Sequence, residues 1–173
     1  MTGSADPAAL VARRIGHDLA APLGALQMGL ELGPEPDPVA REALAQAIAR
    51  LEAFRELFGN DSDTPLDARH VRALLPQDAS FAAHPSLPPR LVRAGAALAI
   101  DLAGLVGPPA MLRLEPQDGG GALVIDGNLA ALPASLAAVL AGADATEPRH
   151  VAAALCVRLA GPVRRAGATF LLA

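Results

Sequence analysis

The sequence predicts an α+β protein in which an antiparallel helical hairpin precedes a small domain of mixed helices and strands. Two long helical patterns each begin with an Asp-Pro pair, and a stiff loop at residues 33–36 separates them. A polar, turn-rich stretch follows at residues 59–67. Beyond it, short helical patterns alternate with strand-like segments, which is typical of a mixed fold. We therefore expect two domains, at residues 1–60 and 61–173.

Start and stop signals define the two helices of the hairpin. In the pair Asp6-Pro7, the aspartate can cap a helix and the proline suits its first position. This first helix is expected to run to about Leu32, where a Gly-Pro pair ends it. Asp37-Pro38 repeats the start signal, and the second helix is expected to run to about Phe58. So short a connection makes the helices antiparallel neighbours.

Local patterns divide the second domain into short elements. Helices are expected over residues 67–75, 88–106, 133–141 and 147–165, the last with a bend at Pro162. Strands are expected over residues 79–83, 111–115, 122–126 and 169–172. A glycine-rich turn, residues 118–121, joins the middle two strands. This mixture of helices and short strands predicts an α/β or α+β second domain, with a small α/β sandwich as the expected architecture.

Composition excludes several classes of function. The chain is 52% hydrophobic, so a folded core is expected, but it has no uncharged apolar run long enough to cross a membrane. The net charge is −4, and no arginine cluster exceeds two residues, so we expect no nucleic-acid or membrane partner. The single cysteine, Cys156, fits a reducing cytoplasm. His70, His84 and His150 share no metal-ligand spacing, so no metal site is expected.

The most informative stretch is the His-Asp pair at residues 17 and 18, which lies in an otherwise small and apolar helix. Spacing residues at 100° gives one apolar stripe, which consists of Ile15, Leu19, Pro22, Leu23, Leu26 and Leu30. His17 lies roughly 160° from the centre of this stripe and is therefore expected to face solvent. Its neighbours at helical spacing are Arg13, Ala20, Ala21 and Gly24, whose mostly small side chains permit close approach by another protein.

The second helix has its own apolar stripe, formed by Leu44, Ile48 and Leu51 and flanked by Ala47, Phe54 and Phe58. A two-helix hairpin cannot bury both stripes by itself. Two hairpins packed as a four-helix bundle can bury them, which predicts a homodimer. The alternative is a monomer whose C-terminal domain covers the stripes.

Residues 17–22, His-Asp-Leu-Ala-Ala-Pro, resemble the H-box of the dimerisation and histidine phosphotransfer domain of bacterial sensor kinases. The continuation through residue 32 is similar to histidine phosphotransferases of the ChpT type. The resemblance implies a dimerising hairpin followed by a degenerate kinase ATP-binding domain. It also implies a phosphorelay protein that carries phosphoryl groups between the receiver domain of a hybrid kinase and response regulators.

The resemblance implies roles for the residues near the histidine. His17 is the expected phosphoacceptor, and Asp18 is expected to accept the other ring N–H and so orient the imidazole. Contacts to the partner or its phosphate are expected from Arg13, Ala20, Ala21 and Gly24. No cofactor is expected on this chain, because Mg²⁺ belongs in the acidic pocket of the partner receiver.

The ATP-binding sequences of a kinase are degraded in the second domain. Asp101 stands where the resemblance leads us to expect an asparagine, and the segment starting at Asp126 keeps its aspartate but loses the spaced glycines. No Gly-x-Gly phosphate loop follows, so ATP use is not expected. Two alternatives remain: a divergent ATP-dependent sensor kinase, and a non-catalytic dimeric adaptor that binds receiver domains.

Overall fold

A computed structural model describes residues 6–31, 38–59 and 63–173, and in these ranges the chain forms six α-helices, one short 3-10 helix and five strands. The α-helices are α1 (Pro7–Glu31), α2 (Pro38–Gly59), α3 (Ala68–Leu74), α4 (Pro89–Ala103), α5 (Ala134–Leu140) and α6 (Val151–Ala160). The 3-10 helix is Pro148–His150. The strands are β1 (Ala79–Ala83), β2 (Ala110–Gln117), β3 (Gly120–Asp126), β4 (Arg164–Ala166) and β5 (Thr169–Leu172).

Helices α1 and α2 pack against each other as an antiparallel N-terminal pair. Asp6 caps α1 as predicted, since its side chain accepts a hydrogen bond from the backbone N–H of Ala8 at 3.0 Å. Gly29, near the end of α1, lies against Ala40, near the start of α2. The predicted helix end at residue 32, the loop at 33–36 and the second Asp cap at 37 lie outside the described residues.

The apolar stripes of the two helices are only partly covered within one chain. On α1, Pro22 is buried and Ile15, Leu19 and Leu26 are half-buried, but Leu23 and Leu30 are exposed. On α2, the flanking residues are buried or half-buried, whereas the central residues Leu44, Ile48 and Leu51 are exposed. The C-terminal region therefore leaves part of both stripes uncovered, whereas the monomer alternative requires that it cover them.

The second region, residues 63–173, is a sheet with helices packed on one face. The strand order is β1-β2-β3-β5-β4, in which β1 and β2 are parallel and the other pairs are antiparallel. Alternate residues of β2 point toward α4 and are buried, whereas Met111 and Arg113 lie on the open face. Helix α6 packs in turn on α4. This confirms the mixed α+β fold class.

The hairpin and the sheet region share one core. Leu10 of α1 and Leu57 of α2 belong to the same buried cluster as the residues of α4 and the sheet. Arg93 of α4, only 1% exposed, donates hydrogen bonds to the backbone carbonyls of Glu56 and Leu57 in the last turn of α2. A cation there compensates carbonyls that have no partner within the helix. The domain division at residues 1–60 and 61–173 remains a prediction.

The prediction of one helix over residues 147–165 was wrong at its C-terminal end. Helix α6 ends at Ala160 because Gly161 adopts φ +73° and a proline follows, so the chain turns and residues 164–166 form β4 instead. Helix α4 ends at Ala103, before the expected residue 106. The predicted four-residue turn at 118–121 is shorter, since β3 already begins at Gly120.

None of the described helices combines the length and the apolar character that a membrane span requires.

Gly29 marks a close approach of α1 to α2 that can be tested by substitution. A Cβ at Gly29 would lie 2.6 Å from the Cβ of Ala40, whereas a Cβ at Gly16, also inside α1, would meet nothing within 4 Å. We expect Gly29→Ala to lower the free energy of unfolding by about 1–3 kcal/mol through overpacking. Gly16→Ala should raise it by about 0.5–1 kcal/mol, because alanine favours the helix.

Urea unfolding at one fixed protein concentration measures both changes. A Gly29→Ala protein as stable as the Gly16→Ala protein would show that the helices do not approach closely at this point.

Candidate functional site

His17 lies on the solvent side of α1, as its helical angle predicts. Its side chain is 86% exposed. The predicted neighbours Arg13, Ala20, Ala21 and Gly24 are exposed as well, so the structure brings them together as one surface patch around the imidazole. Three of these four neighbours have small side chains or none, and the fourth, Arg13, carries a positive charge. Another protein surface can therefore approach the side of His17 that carries Ala20, Ala21 and Gly24 without displacing bulky groups.

The carboxylate of Asp18 contacts the imidazole and a neighbouring cation at the same time. Its Oδ1 lies 3.0 Å from Nδ1 of His17, and its Oδ2 accepts a hydrogen bond from Nε of Arg14 at 2.9 Å. An ionised carboxylate only accepts, so the hydrogen of the neutral imidazole is assigned to Nδ1. The lone pair of Nε2 is then left for chemistry at the exposed edge of the ring.

Arg14 extends this contact into the interior of the protein. Its Nη1 donates to Oδ1 of Asp101 in α4 at 3.2 Å and to the backbone carbonyl of Arg149 at 2.9 Å. His17, Asp18, Arg14 and Asp101 thus form a continuous polar chain, which leads from the surface of α1 to the core. The i,i+4 spacing of Arg14 and Asp18 was the only signal in the sequence that could have identified Arg14.

Asp101 is the buried end of the polar chain. Its side chain is fully inaccessible, and its Oδ2 accepts a hydrogen bond from the backbone N–H of Ala153 at 2.7 Å. Burial raises the pKa of Asp101 to about 7, although Arg14 and the Ala153 N–H act in the opposite direction. Burial alone would lower the pKa of Arg14, but its ion pairs with Asp101 and Asp18 outweigh that effect and raise it.

Pro22 leaves one backbone carbonyl of α1 without a donor in its own helix, and a side chain of α2 supplies the donor. Because proline has no N–H, Pro22 cannot donate to the carbonyl of Asp18 four residues earlier. Nη1 of Arg50, on α2, donates to that carbonyl at 2.8 Å instead. The hydrogen bond holds the two helices together directly beside the His-Asp pair. Arg50 was not predicted, because its partner is a backbone atom that only the antiparallel packing brings near.

A cleft of about 790 Å³ borders the polar chain between α1, α4 and the 3-10 helix. Three arginines, Arg13, Arg14 and Arg149, contribute to its lining, and Glu147 at the same surface is paired with Arg149 at 2.7 Å. Three carboxylates, those of Asp18, Asp101 and Glu147, line the cleft as well, so its lining carries no excess of positive charge.

The residues that stand at the expected nucleotide positions are engaged elsewhere. Asp101 is occupied by Arg14 and Ala153, and Asp126 pairs with Arg113 on the open face of the sheet at 3.0 Å. The Asp118-Gly119 pair forms the tight turn between β2 and β3, as predicted, with Gly119 at φ +80°. Within the described ranges, no group of three or more potential ligand side chains could hold a metal ion. Cys156 is fully buried, and burial raises its pKa to about 12.

The comparisons with known proteins concern the fold. No family model matches the chain, and no curated protein does. A solved structure of a bacterial phosphotransferase, determined at 1.7 Å, matches with a TM-score of 0.68 and 23% sequence identity. The match covers 98% of this chain and 96% of the other. The chain therefore has the fold of a bacterial phosphotransferase.

The extent of this match includes both the helical pair and the sheet region, so the whole architecture is shared with the phosphotransferase. At this level of identity the likeness concerns backbone arrangement. The roles of individual side chains are argued from the contacts described above.

The hydrogen bond from Arg50 to Asp18 predicts an energetic coupling between positions 22 and 50. In the wild type, Arg50→Met leaves the Asp18 carbonyl without its donor and should cost about 1 kcal/mol. In a Pro22→Ala protein the alanine N–H can serve that carbonyl, so the same change at residue 50 should cost much less. A double-mutant cycle from urea unfolding isolates the difference. Equal costs in the two backgrounds would contradict the coupling.

Proposed function

We propose that this chain is a cytoplasmic histidine phosphotransferase of the ChpT type, which accepts a phosphoryl group on His17 from the aspartate of a receiver domain. It then passes the group to a response regulator in a bacterial phosphorelay and uses no ATP. The observation that carries the proposal is the exposed imidazole of His17, whose Nδ1 is bonded to Asp18 while its Nε2 edge faces solvent. The shared phosphotransferase fold supports it.

In the proposed step, the Nε2 lone pair of His17 attacks the phosphorus of the receiver's aspartyl phosphate in line. The bond between phosphorus and the aspartate oxygen breaks as the bond between phosphorus and Nε2 forms, and the receiver carboxylate leaves with the electron pair. Asp18 keeps its hydrogen bond to the Nδ1–H and offsets the positive charge that develops on the ring. The second transfer is the same reaction in reverse, with another receiver as acceptor.

The surroundings of His17 suit a transfer that depends on positioning and charge neutralisation. Ala20, Ala21 and Gly24 leave room for a receiver surface, and the exposed guanidinium of Arg13 can contact the phosphoryl oxygens. The Mg²⁺ that such a reaction uses is proposed to reside in the acidic pocket of the partner receiver.

We also propose that the chain acts as a homodimer through the exposed apolar stripes of α1 and α2. Five aliphatic side chains on these stripes are between 45% and 63% exposed, and they are Leu23, Leu30, Leu44, Ile48 and Leu51. An apolar surface of this kind on a helical pair favours association with a second identical pair as a four-helix bundle. The partner is therefore a second copy of this chain.

The function is tested by supplying radiolabelled, phosphorylated receiver domains to the wild type and to His17→Gln. We expect the wild type to take up an acid-labile label, as a phosphohistidine does, and His17→Gln to lose the uptake by more than about a hundredfold, because glutamine offers no nucleophile. Label taken up from ATP alone would favour the divergent kinase. Receiver binding that is equal in both proteins, without any label, would favour the adaptor.

The dimer is tested by a charge on the α2 stripe. Ile48→Glu should convert the protein to a monomer, because a carboxylate buried at the bundle interface is strongly unfavourable. Met111→Glu is a matched control, since Met111 is 48% exposed, close to the 49% of Ile48, but lies on the open face of the sheet. Light scattering after size exclusion gives the mass. A wild type with the mass of one chain would refute the dimer.

A further inference from the structure

Arg14 connects the surface of α1 beside His17 to the buried interior of the sheet region. We propose that Arg14 is a positioning residue for phosphotransfer, which fixes the carboxylate of Asp18 and through it the orientation and tautomer of the His17 ring. The inference rests on the proposed phosphoacceptor role of His17. This positioning role would involve the second region in the reaction without any binding of nucleotide.

Three acceptors from three elements constrain the planar guanidinium of Arg14. Nε contacts Asp18 on α1, and Nη1 contacts both Asp101 on α4 and the carbonyl of Arg149 on the 3-10 helix. The side chain is only 14% exposed, so little of it can rotate freely. Asp101 is in turn held by the N–H of Ala153 on α6. The position of the guanidinium is therefore determined by the α/β region and not by α1 alone.

The carboxylate of Asp18 is shared between Arg14 and the His17 ring. Its side chain is only 17% exposed, whereas the imidazole is 86% exposed, so Arg14 is the more firmly held of these two partners. With Oδ2 bonded to Arg14, Oδ1 is directed at Nδ1 of His17. Without that bond, the carboxylate gains rotamers in which neither oxygen reaches the ring.

The consequence for the reaction lies in the tautomer. A fixed Asp18 keeps the proton of the neutral ring on Nδ1 and leaves the Nε2 lone pair outward, where an attacked phosphorus has to approach. A loosened Asp18 allows a mixture in which part of the population carries the proton on Nε2. That part cannot attack through Nε2, so the rate of transfer falls with the loss of the Nδ1–H form.

The test measures the free protein first, so that it does not depend on finding the partner. In the full chain, ¹⁵N chemical shifts of the His17 ring report the fraction of the Nδ1–H tautomer. Potassium phosphoramidate then serves as a chemical phosphoryl donor: its P–N bond breaks, ammonia leaves, and a bond from phosphorus to Nε2 forms. We expect Arg14→Met to lower the Nδ1–H fraction and to slow phosphorylation of His17 by about tenfold.

Two variants control for charge and for geometry. Arg69→Met removes another arginine that pairs with an aspartate, Asp67, but on the exposed start of α3, and it should change neither signal. Arg14→Lys keeps the charge but loses the planar fork, so one ammonium cannot hold both carboxylates and the Arg149 carbonyl. We expect it to recover part of the Nδ1–H fraction and of the rate.

Asp101→Asn is the second variant, for the case that Arg14→Met fails to fold because it leaves a buried charge unpaired. The asparagine oxygen can still accept from Ala153, while the charge that holds Arg14 is removed. A lowered Nδ1–H fraction in this folded variant supports the proposal, because residue 101 does not contact His17. Wild-type tautomer and rate in folded Arg14→Met or Asp101→Asn would overturn it.

The measurements distinguish failure of the proposed phosphorelay function from failure of the proposed role of Arg14. If His17 reacts with phosphoramidate but takes no label from any receiver, the phosphorelay function fails while the tautomer measurement still decides the role of Arg14. If receivers label His17 equally well in the wild type and in Arg14→Met, the phosphorelay function stands and the positioning role is rejected.

Discussion

The pairing of Arg14 with the buried carboxylate of Asp101 is the interaction on which the arrangement of the site depends. An ionised carboxylate without access to water loses several kcal/mol of hydration unless cations and N–H groups replace the solvent. Arg14 and the backbone of Ala153 are these replacements. Removing one partner of a buried ion pair typically costs about 3–5 kcal/mol. Helix α1 is therefore held against α4 within one helical turn of His17.

Backbone geometry reinforces this placement on the other side of α1. Pro22 leaves the carbonyl of Asp18 without a donor in its own helix, and Arg50 of α2 supplies one. The main chain of Asp18 is thus fixed by α2, while its side chain is fixed by Arg14. Pro22, five residues after the histidine, thus leaves a backbone acceptor that Arg50 uses to hold the second helix of the pair.

Most features with local causes could be predicted from the sequence, whereas features with distant causes could not. The cap at Asp6, the exposed angle of His17 and the strands at residues 79–83 and 169–172 follow from neighbours within a few positions. The end of α6 is an exception, because its cause is the local Gly161-Pro162 pair, where the sequence predicted only a bend. The contact from Arg14 to Asp101 spans 87 positions, and nothing in either local sequence indicates the other.

The same contact bears on the choice between a phosphotransferase and a kinase. Binding the magnesium and phosphates of ATP on α4 would require free carboxylate oxygens at Asp101, and both are already engaged by Arg14 and Ala153. Releasing them would free Arg14 and, with it, the side chain that orients His17. Under the proposed roles, nucleotide binding at α4 and orientation of the imidazole would compete for one carboxylate. The contacts of Asp101 with Arg14 and Ala153 therefore support the proposal that the phosphoryl group comes from another protein.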